Sequence, residues 1–292
     1  MLASLEKIKN FNLEIKKRLF QSLFYLSSFS GKPYENRILE IVEQLSEKAP
    51  SPFLYAFNKK LAFLTETENL EKSKKFIQII NYIQKENTFI YSYNELNKLK
   101  KYLFNLYTNS GNDEGENFKK VKSFSFAKKK IYESLSLLKS FPEYENFFIE
   151  ELIQMIIIFN SEKMVAGSSS ELYGSIYINE DYISSNLYSN IEVILHEASH
   201  VYLYMFSFFD KIILNPIEEL FTSSIRKDKR PMIGIFHGAF VTKNLISFYE
   251  KNRKTIPTAE ERIQILKRKN NLLEKCIKDN GKLTKIGKKL LS

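Results

Sequence analysis

The chain has 292 residues, with 44 Lys and Arg against 34 Asp and Glu and a formal charge of +10. That length holds one large domain or two smaller ones, and 24 Phe with 17 Tyr supply ample apolar mass for a core. A lone cysteine, Cys276, excludes an intrachain disulfide. No run approaches the roughly 18 apolar residues of a spanning helix.

The positive charge comes without a compact arginine stripe or zinc-finger spacing. It reads as a lysine-rich solvated surface and not as a nucleic-acid footprint. The first residues, M-L-A-S-L-E-K-I-K-N, break their apolar positions with charges at once, unlike a signal peptide. With cysteine this scarce, the expectation is a cytoplasmic protein with neither membrane nor nucleic acid as partner.

The fold class expected is mainly α with a small β-hairpin or sheet, an α+β chain. It would have a helical N-terminal region over 1–150 and a catalytic region over 151–292, separate or continuous. Leu2 to Phe29 spaces its apolar residues at helical intervals. Pro33, Pro50 and Pro52 punctuate the connection to the next helices. Thr67 to Lys85 and Ser92 to Leu106 read as helices, the second opened by a capping box at Ser92-Tyr93-Asn94-Glu95. Ser110 to Glu116 reads as a surface loop and Lys128 to Ser140 as a further helix. This half carries no evident chemistry and suits a helical scaffold or a peptide-docking region.

After Pro142 the character changes. Within Glu151 to Met164, I-Q-M-I-I-I-F-N suits a buried strand. Gly167 to Ser170 reads as a loop, and Gly174 to Asn179 alternates as a second strand. Such a strand pair would make a stiff backing for a site on the next helix. Ser189-Asn190-Ile191-Glu192 reads as a capping box opening that helix, which runs through Ser207. Pro216 to Ser224 suggests a short helix and Arg226 to Arg230 a basic loop. Pro231 opens a helix to about Asn252, since its missing N–H costs nothing in the first turn. Thr258-Ala259-Glu260-Glu261 caps the next helix, which ends near Gly281, and Leu283 to Gly287 opens a last one.

The chemistry centres on His196-Glu197-Ala198-Ser199-His200, an H-E-x-x-H pattern on a zincin-like metal helix. Two histidines four apart lie one turn apart on one helix face, so both imidazoles reach one metal ion, with Glu197 alongside. The chain has only three histidines, and the third is His237. The bland alternative is an amphipathic helix with incidental histidines.

A third ligand is needed, and two residues compete for it. Glu219 follows His200 at a spacing like that of thermolysin-like zinc peptidases, in which Glu197 would deprotonate a zinc-bound water. His237 is the other. A third histidine in the astacin-like position is ruled out, because Leu203 and Phe206 occupy the Gly and His places of that motif. Arg230 precedes His237 by seven residues. Were both helical, that is two turns, or roughly 10 Å along one face. A metal at His237 and a guanidinium there would grip the two ends of a small dicarboxylate, as a 2-oxoglutarate oxygenase requires. Alternatively, Arg230 is a surface charge. Tyr173, Ser175 and Arg226 flank these segments as possible pocket residues.

Several segments carry a resemblance to a known family. They are Ser168-Ser169-Ser170 with Gly174-Ser175-Ile176-Tyr177, then L-H-E-A-S-H-V, then R-P-M-I-G-I-F-H-G-A-F-V from Arg230, and K-L-T-K-I-G near the end. In this order, over about the last 140 residues, they resemble the H-E-x-x-H-motif modification proteins of ribosomally made peptides. R-P-x-x-G-x-x-H-G is the most specific part. The resemblance implies a non-haem Fe(II), 2-oxoglutarate-dependent hydroxylase acting at a β-carbon of a precursor peptide. By position, His196, His200 and His237 would hold iron and Arg230 would bind 2-oxoglutarate. Three histidines depart from the common two-histidine, one-carboxylate set, leaving Glu197 open to an orienting role. The expectation is thus an oxygenase with Fe(II), the alternative a zinc peptidase; a catalytically dead peptide-binding protein is a third reading.

Overall fold

The computed structural model of the chain describes residues 5–29, 31–44, 49–67, 69–83, 89–108, 118–141, 149–222 and 228–292. In chain order the described helices are α1 (Leu5–Ser28), α2 (Lys32–Gln44), α3 (Pro52–Glu66), α4 (Leu70–Ile77), α5 (Lys98–Thr108), α6 (Phe124–Lys139), α7 (Ile149–Leu152), α8 (Leu187–Ser207), α9 (Met232–Lys251), α10 (Ala259–Asn280) and α11 (Lys285–Leu291). The strands are β1 (Ile90–Ser92), β2 (Met155–Phe159), β3 (Ala166–Ser168), β4 (Ser175–Asn179), β5 (Leu220–Phe221) and β6 (Arg230–Pro231). The chain is therefore mainly helical with a small sheet, as expected.

It divides into two compact units, one from Glu6–Lys129 and Glu150–Ile183, the other chiefly from Lys130–Ile149 and Ser184–Ser292. The chain passes from one unit to the other near residues 130, 150 and 184.

In the first unit, β1, β2, β4 and β3 form one sheet in that order. β2 runs parallel to both β1 and β4, and β3 runs antiparallel to β4. The expected strand pair is thus not a hairpin. All five residues of Met155 to Phe159 are buried, the pattern of an interior parallel strand covered on both faces. Gly167 and Ser168, expected in a loop, pair with Tyr177 and Ile176 as edge strand β3. Gly174 turns the chain into β4 with φ +87°, a left-handed conformation that side chains avoid. One core unites this unit: Leu23, Phe53, Phe57 and Phe104 from the helices pack with Met155, Ile157, Phe159 and Tyr177 from the sheet.

Local signals here were partly displaced. The Ser92–Glu95 capping box forms with both reciprocal bonds, but it closes a 3₁₀ turn, and α5 starts later, at Lys98. Among the described residues of Thr67 to Lys85 the helical elements are α4 and a short 3₁₀ turn, Ile80–Tyr82. Pro33 and Pro52 lie in the first turns of α2 and α3, where a missing N–H is harmless, and Ser51 caps α3 by accepting from Phe53 N. The expected loop Ser110 to Glu116 and the break at Pro142 lie outside the described residues.

The second unit is a helical layer in which α9 packs lengthwise on α8 and on α10. Asn190 of α8 donates to Ser134 Oγ of α6 at 3.2 Å, and Phe141 meets Phe248 edge-on at 5.3 Å. α8 begins at Leu187, earlier than the Ser189 capping box implies. Asn186 is its cap and accepts from Tyr188 N at 3.0 Å. Ser189 and Glu192 therefore lie inside the helix. Pro216 to Thr222 forms a turn and then β5 instead of a helix, because Leu220 and Phe221 pair antiparallel with Pro231 and Arg230 of β6. Pro231 is the N-cap of α9. Thr258 caps α10 without a side-chain bond, so that expected capping box does not form. Gly287 of α11 sits so close to Ile212 O that a Cβ would approach it to 2.4 Å, so this approach requires a glycine.

Candidate metal centre

α8 presents Glu192, His196, His200 and Tyr204 at successive four-residue intervals, one stripe along one face. Serine and alanine follow Glu197 between the histidines, so no bulky side chain crowds the turn. α9 lies across this stripe in antiparallel register. His200 faces His237, Tyr202 stacks on Phe240 at 5.8 Å, Asn244 donates to Ser199 Oγ at 3.2 Å, and Tyr249 donates to Glu192 Oε2 at 2.6 Å. From Glu192–Tyr249 through Ser199–Asn244 to His200–His237, positions rise along α8 as they fall along α9.

The three histidines form one ring cluster. The His196 and His200 centroids are 5.1 Å apart, and those of His200 and His237 are 5.3 Å apart. His200 Nδ1 and His237 Nδ1 approach to 3.3 Å. Two nitrogens bound to one ion at about 2.0–2.1 Å stand roughly 3–3.4 Å apart, so this pair is already spaced as adjacent ligands. Tyr204 closes one side, 6.4 Å from the His200 ring and 5.6 Å from that of His237.

Protonation suits ligation as well. Burial pushes His237 down to about 4, far below its ordinary 6.5. His200 is held well below its usual value by burial first, then by the neighbouring His237 and His196 and the charge of Lys269. Both rings are neutral near pH 7, as a metal ligand must be. As the side chains stand, no three His, Cys, Asp or Glu groups among the described residues converge into a ready metal site.

Glu197 is buried, 6% exposed, in the same turn. Glu219 is placed differently. It is exposed in the turn after α8, and its carboxylate accepts from Asn215 Nδ2 at 3.2 Å, while Asn215 also bonds Asn280 O. Arg230 is not helical. It precedes the Pro231 cap in β6, and its Nε donates to Asp228 Oδ2 at 2.9 Å. The helical two-turn spacing to His237 therefore does not apply, because β5–β6 pairing holds Arg230 extended. Tyr173 and Ser175 belong to the other unit. Tyr173 donates to Asn12 Oδ1 at 2.7 Å and lines a cavity of about 300 Å³ with Lys16, Tyr55 and Gln154. Ser175 is buried and donates to Leu172 O at 2.8 Å, a packing role. Arg226 lies outside the described residues.

Sequence reasoning missed the ion triad beside the cluster. Glu192, one turn before His196, accepts Arg262 Nε at 2.7 Å and a second bond from the same guanidinium, besides that from Tyr249. Burial opposes the Glu192 charge, but these hydrogen bonds and the guanidinium together hold its carboxyl below the ordinary range. The four-residue spacing to His196 was a visible signal; the partners on α9 and α10 were not.

Comparison with protein-family models finds no match, and comparison with curated proteins finds none either.

Proposed function

We propose that this protein is an Fe(II)- and 2-oxoglutarate-dependent oxygenase that hydroxylates a residue of a ribosomally made precursor peptide, at its β-carbon. The observation carrying this reading is the 3.3 Å approach of His200 and His237 Nδ1, which makes His237 the natural third ligand of the H-E-x-x-H pair. Glu219, the residue a zinc peptidase would use, faces solvent and Asn215 instead. Bound iron with 2-oxoglutarate would supply the oxidising chemistry.

The chain's own residues do the rest. His196, His200 and His237 would hold the ion, and the desolvation of His200 and His237 keeps both neutral and able to ligate it. Glu197 lies close enough along the helix to orient a ligand or hold a proton. Arg230, whose ion pair with Asp228 is half-exposed and therefore weak, would bind the far carboxylate of 2-oxoglutarate. The precursor peptide is the implied partner.

The test is anaerobic. Protein loaded with Fe(II) and given 2-oxoglutarate should develop the visible charge-transfer band of the chelated complex. His237→Ala should lose the ion and the band, Glu219→Ala should keep both, and Arg230→Ala should keep the ion but need far more 2-oxoglutarate. Tight zinc binding that Glu219→Ala abolishes, with no band, would replace this reading by the peptidase.

A further inference from the structure

The stripe on α8 does not end at His200. Tyr204 stands one turn further, and long side chains on a helix lean back over the preceding turn. Its ring accordingly lies over His200, with planes 20° apart and centroids separated by 6.4 Å. From α9, His237 meets the same ring with centroids 5.6 Å apart and planes at 52°. Both separations fall in the range of paired rings. These two histidines are the pair whose Nδ1 atoms approach to 3.3 Å. One phenol ring, half-buried, is therefore packed against both imidazoles that would share an ion.

That ring is chemically the odd member of the cluster. Imidazoles bound to a cation give up electron density to it, whereas a phenol is electron-rich at the carbons beside its hydroxyl. In the oxygenase reading dioxygen takes four electrons, two from the 2-oxo acid as it loses carbon dioxide and two from a C–H bond. The peptide supplies that second pair when it is bound.

We propose that Tyr204 is a self-modification site, whose ring supplies the second pair when 2-oxoglutarate is consumed with no peptide in place. One atom of dioxygen then goes into succinate. The other enters a ring C–H bond beside the Tyr204 hydroxyl, the displaced hydrogen ends on the new hydroxyl, and the residue becomes a dihydroxyphenylalanine. This rests on the oxygenase reading above and adds to it the group of the chain itself that uncoupled turnover oxidises.

The experiment has two arms, and the first involves no turnover. The protein is made with fluorotyrosine, and the fluorine signal missing from Tyr204→Phe is assigned to Tyr204. Co(II), which is paramagnetic, should broaden that signal beyond detection while most other tyrosine signals survive, and Zn(II) should leave it sharp. In the second arm wild type holding Fe(II) is given 2-oxoglutarate and isotopically heavy dioxygen without peptide, then digested and weighed. The fragment with Tyr204 should gain one heavy oxygen atom, and omission of 2-oxoglutarate should abolish the gain. Tyr25 and Tyr82, 63% and 65% exposed, are within easy reach of freely diffusing oxidants and should gain roughly tenfold less than Tyr204, because the ring at the ion is held in place. A Tyr204 signal that bound Co(II) leaves sharp overturns the inference. So does consumption of 2-oxoglutarate with Tyr204 unmodified, or with Tyr25 and Tyr82 modified equally; the oxygenase reading survives all three. Protein that takes up Fe(II) but neither binds nor consumes 2-oxoglutarate overturns both. If Tyr204→Phe does not fold, the wild-type digest still decides.

Discussion

His237 is neutral at pH 7, because burial pushes its pKa down to about 4. In the unfolded chain the same imidazole takes its proton near pH 6.5. Between these values the unfolded state binds more protons than the folded one, so stability falls as pH falls from about 6.5 to about 4. Above that window neither state is protonated and the histidine adds no slope; below it both are, and the loss is complete. A shift of this size corresponds to on the order of a few kcal/mol. Urea unfolding of the metal-free protein at pH 7.5 and pH 5 should show the lower stability at pH 5, and His237→Gln should flatten the difference. An unchanged pH dependence in that variant would assign the slope elsewhere. The histidines themselves were plain in the sequence, since a chain with three of them placing two in H-E-x-x-H is an unusual use of a scarce residue. Glu192 was misread for a physical reason. A glutamate three residues after a serine looks like a capping box, but its carboxylate has stronger donors in Arg262 and Tyr249.

At the scale of elements, α8 shows what local signals could and could not place. Its existence follows from an apolar run free of Gly and Pro, and its start does not, because two nearby asparagine and serine positions both suit a cap. Asn186 won, and its side chain accepts from Tyr188 N. Asn186→Ala should therefore cost about 1 kcal/mol of stability, and Ser189→Ala close to nothing. Denaturant midpoints of the two variants check this, and the reverse order would move the cap to Ser189. The strands tell a similar story. The apolar run at Met155 to Phe159 announces burial, but only neighbouring strands distant in sequence make β2 parallel to β1 and β4. Pairing with β5 likewise turned Arg230 from an expected helical or loop position into a strand.

For the whole molecule, the two compact units bear on stability. The histidine cluster lies within the unit that holds α8, α9 and α10. A metal bound there stabilises what it binds, by about 2.7 kcal/mol at a free concentration one hundred times the dissociation constant. Hydrogen exchange should accordingly slow in Leu187–Ser207 and Met232–Lys251 on metal addition and stay unchanged in Pro52–Glu66, whose core is separate. Slowing spread evenly over both units would show that they unfold as one; none anywhere would remove the metal centre.

The sequence by itself determined the helical character of the chain, the helix that carries H-E-x-x-H, and the histidines from which a site could be built. These are local properties: apolar periodicity, the four-residue repeat and residue chemistry act within a few turns. Only the tertiary structure decided between His237 and Glu219 as the neighbour of His200, matched Arg230 with Asp228, and set Arg262 against Glu192 at the end of the histidine stripe. Those choices depend on the register between helices that are separated along the chain. That register is fixed by which side chains interlock across the α8–α9 and α9–α10 contacts, and no spacing within one segment encodes it.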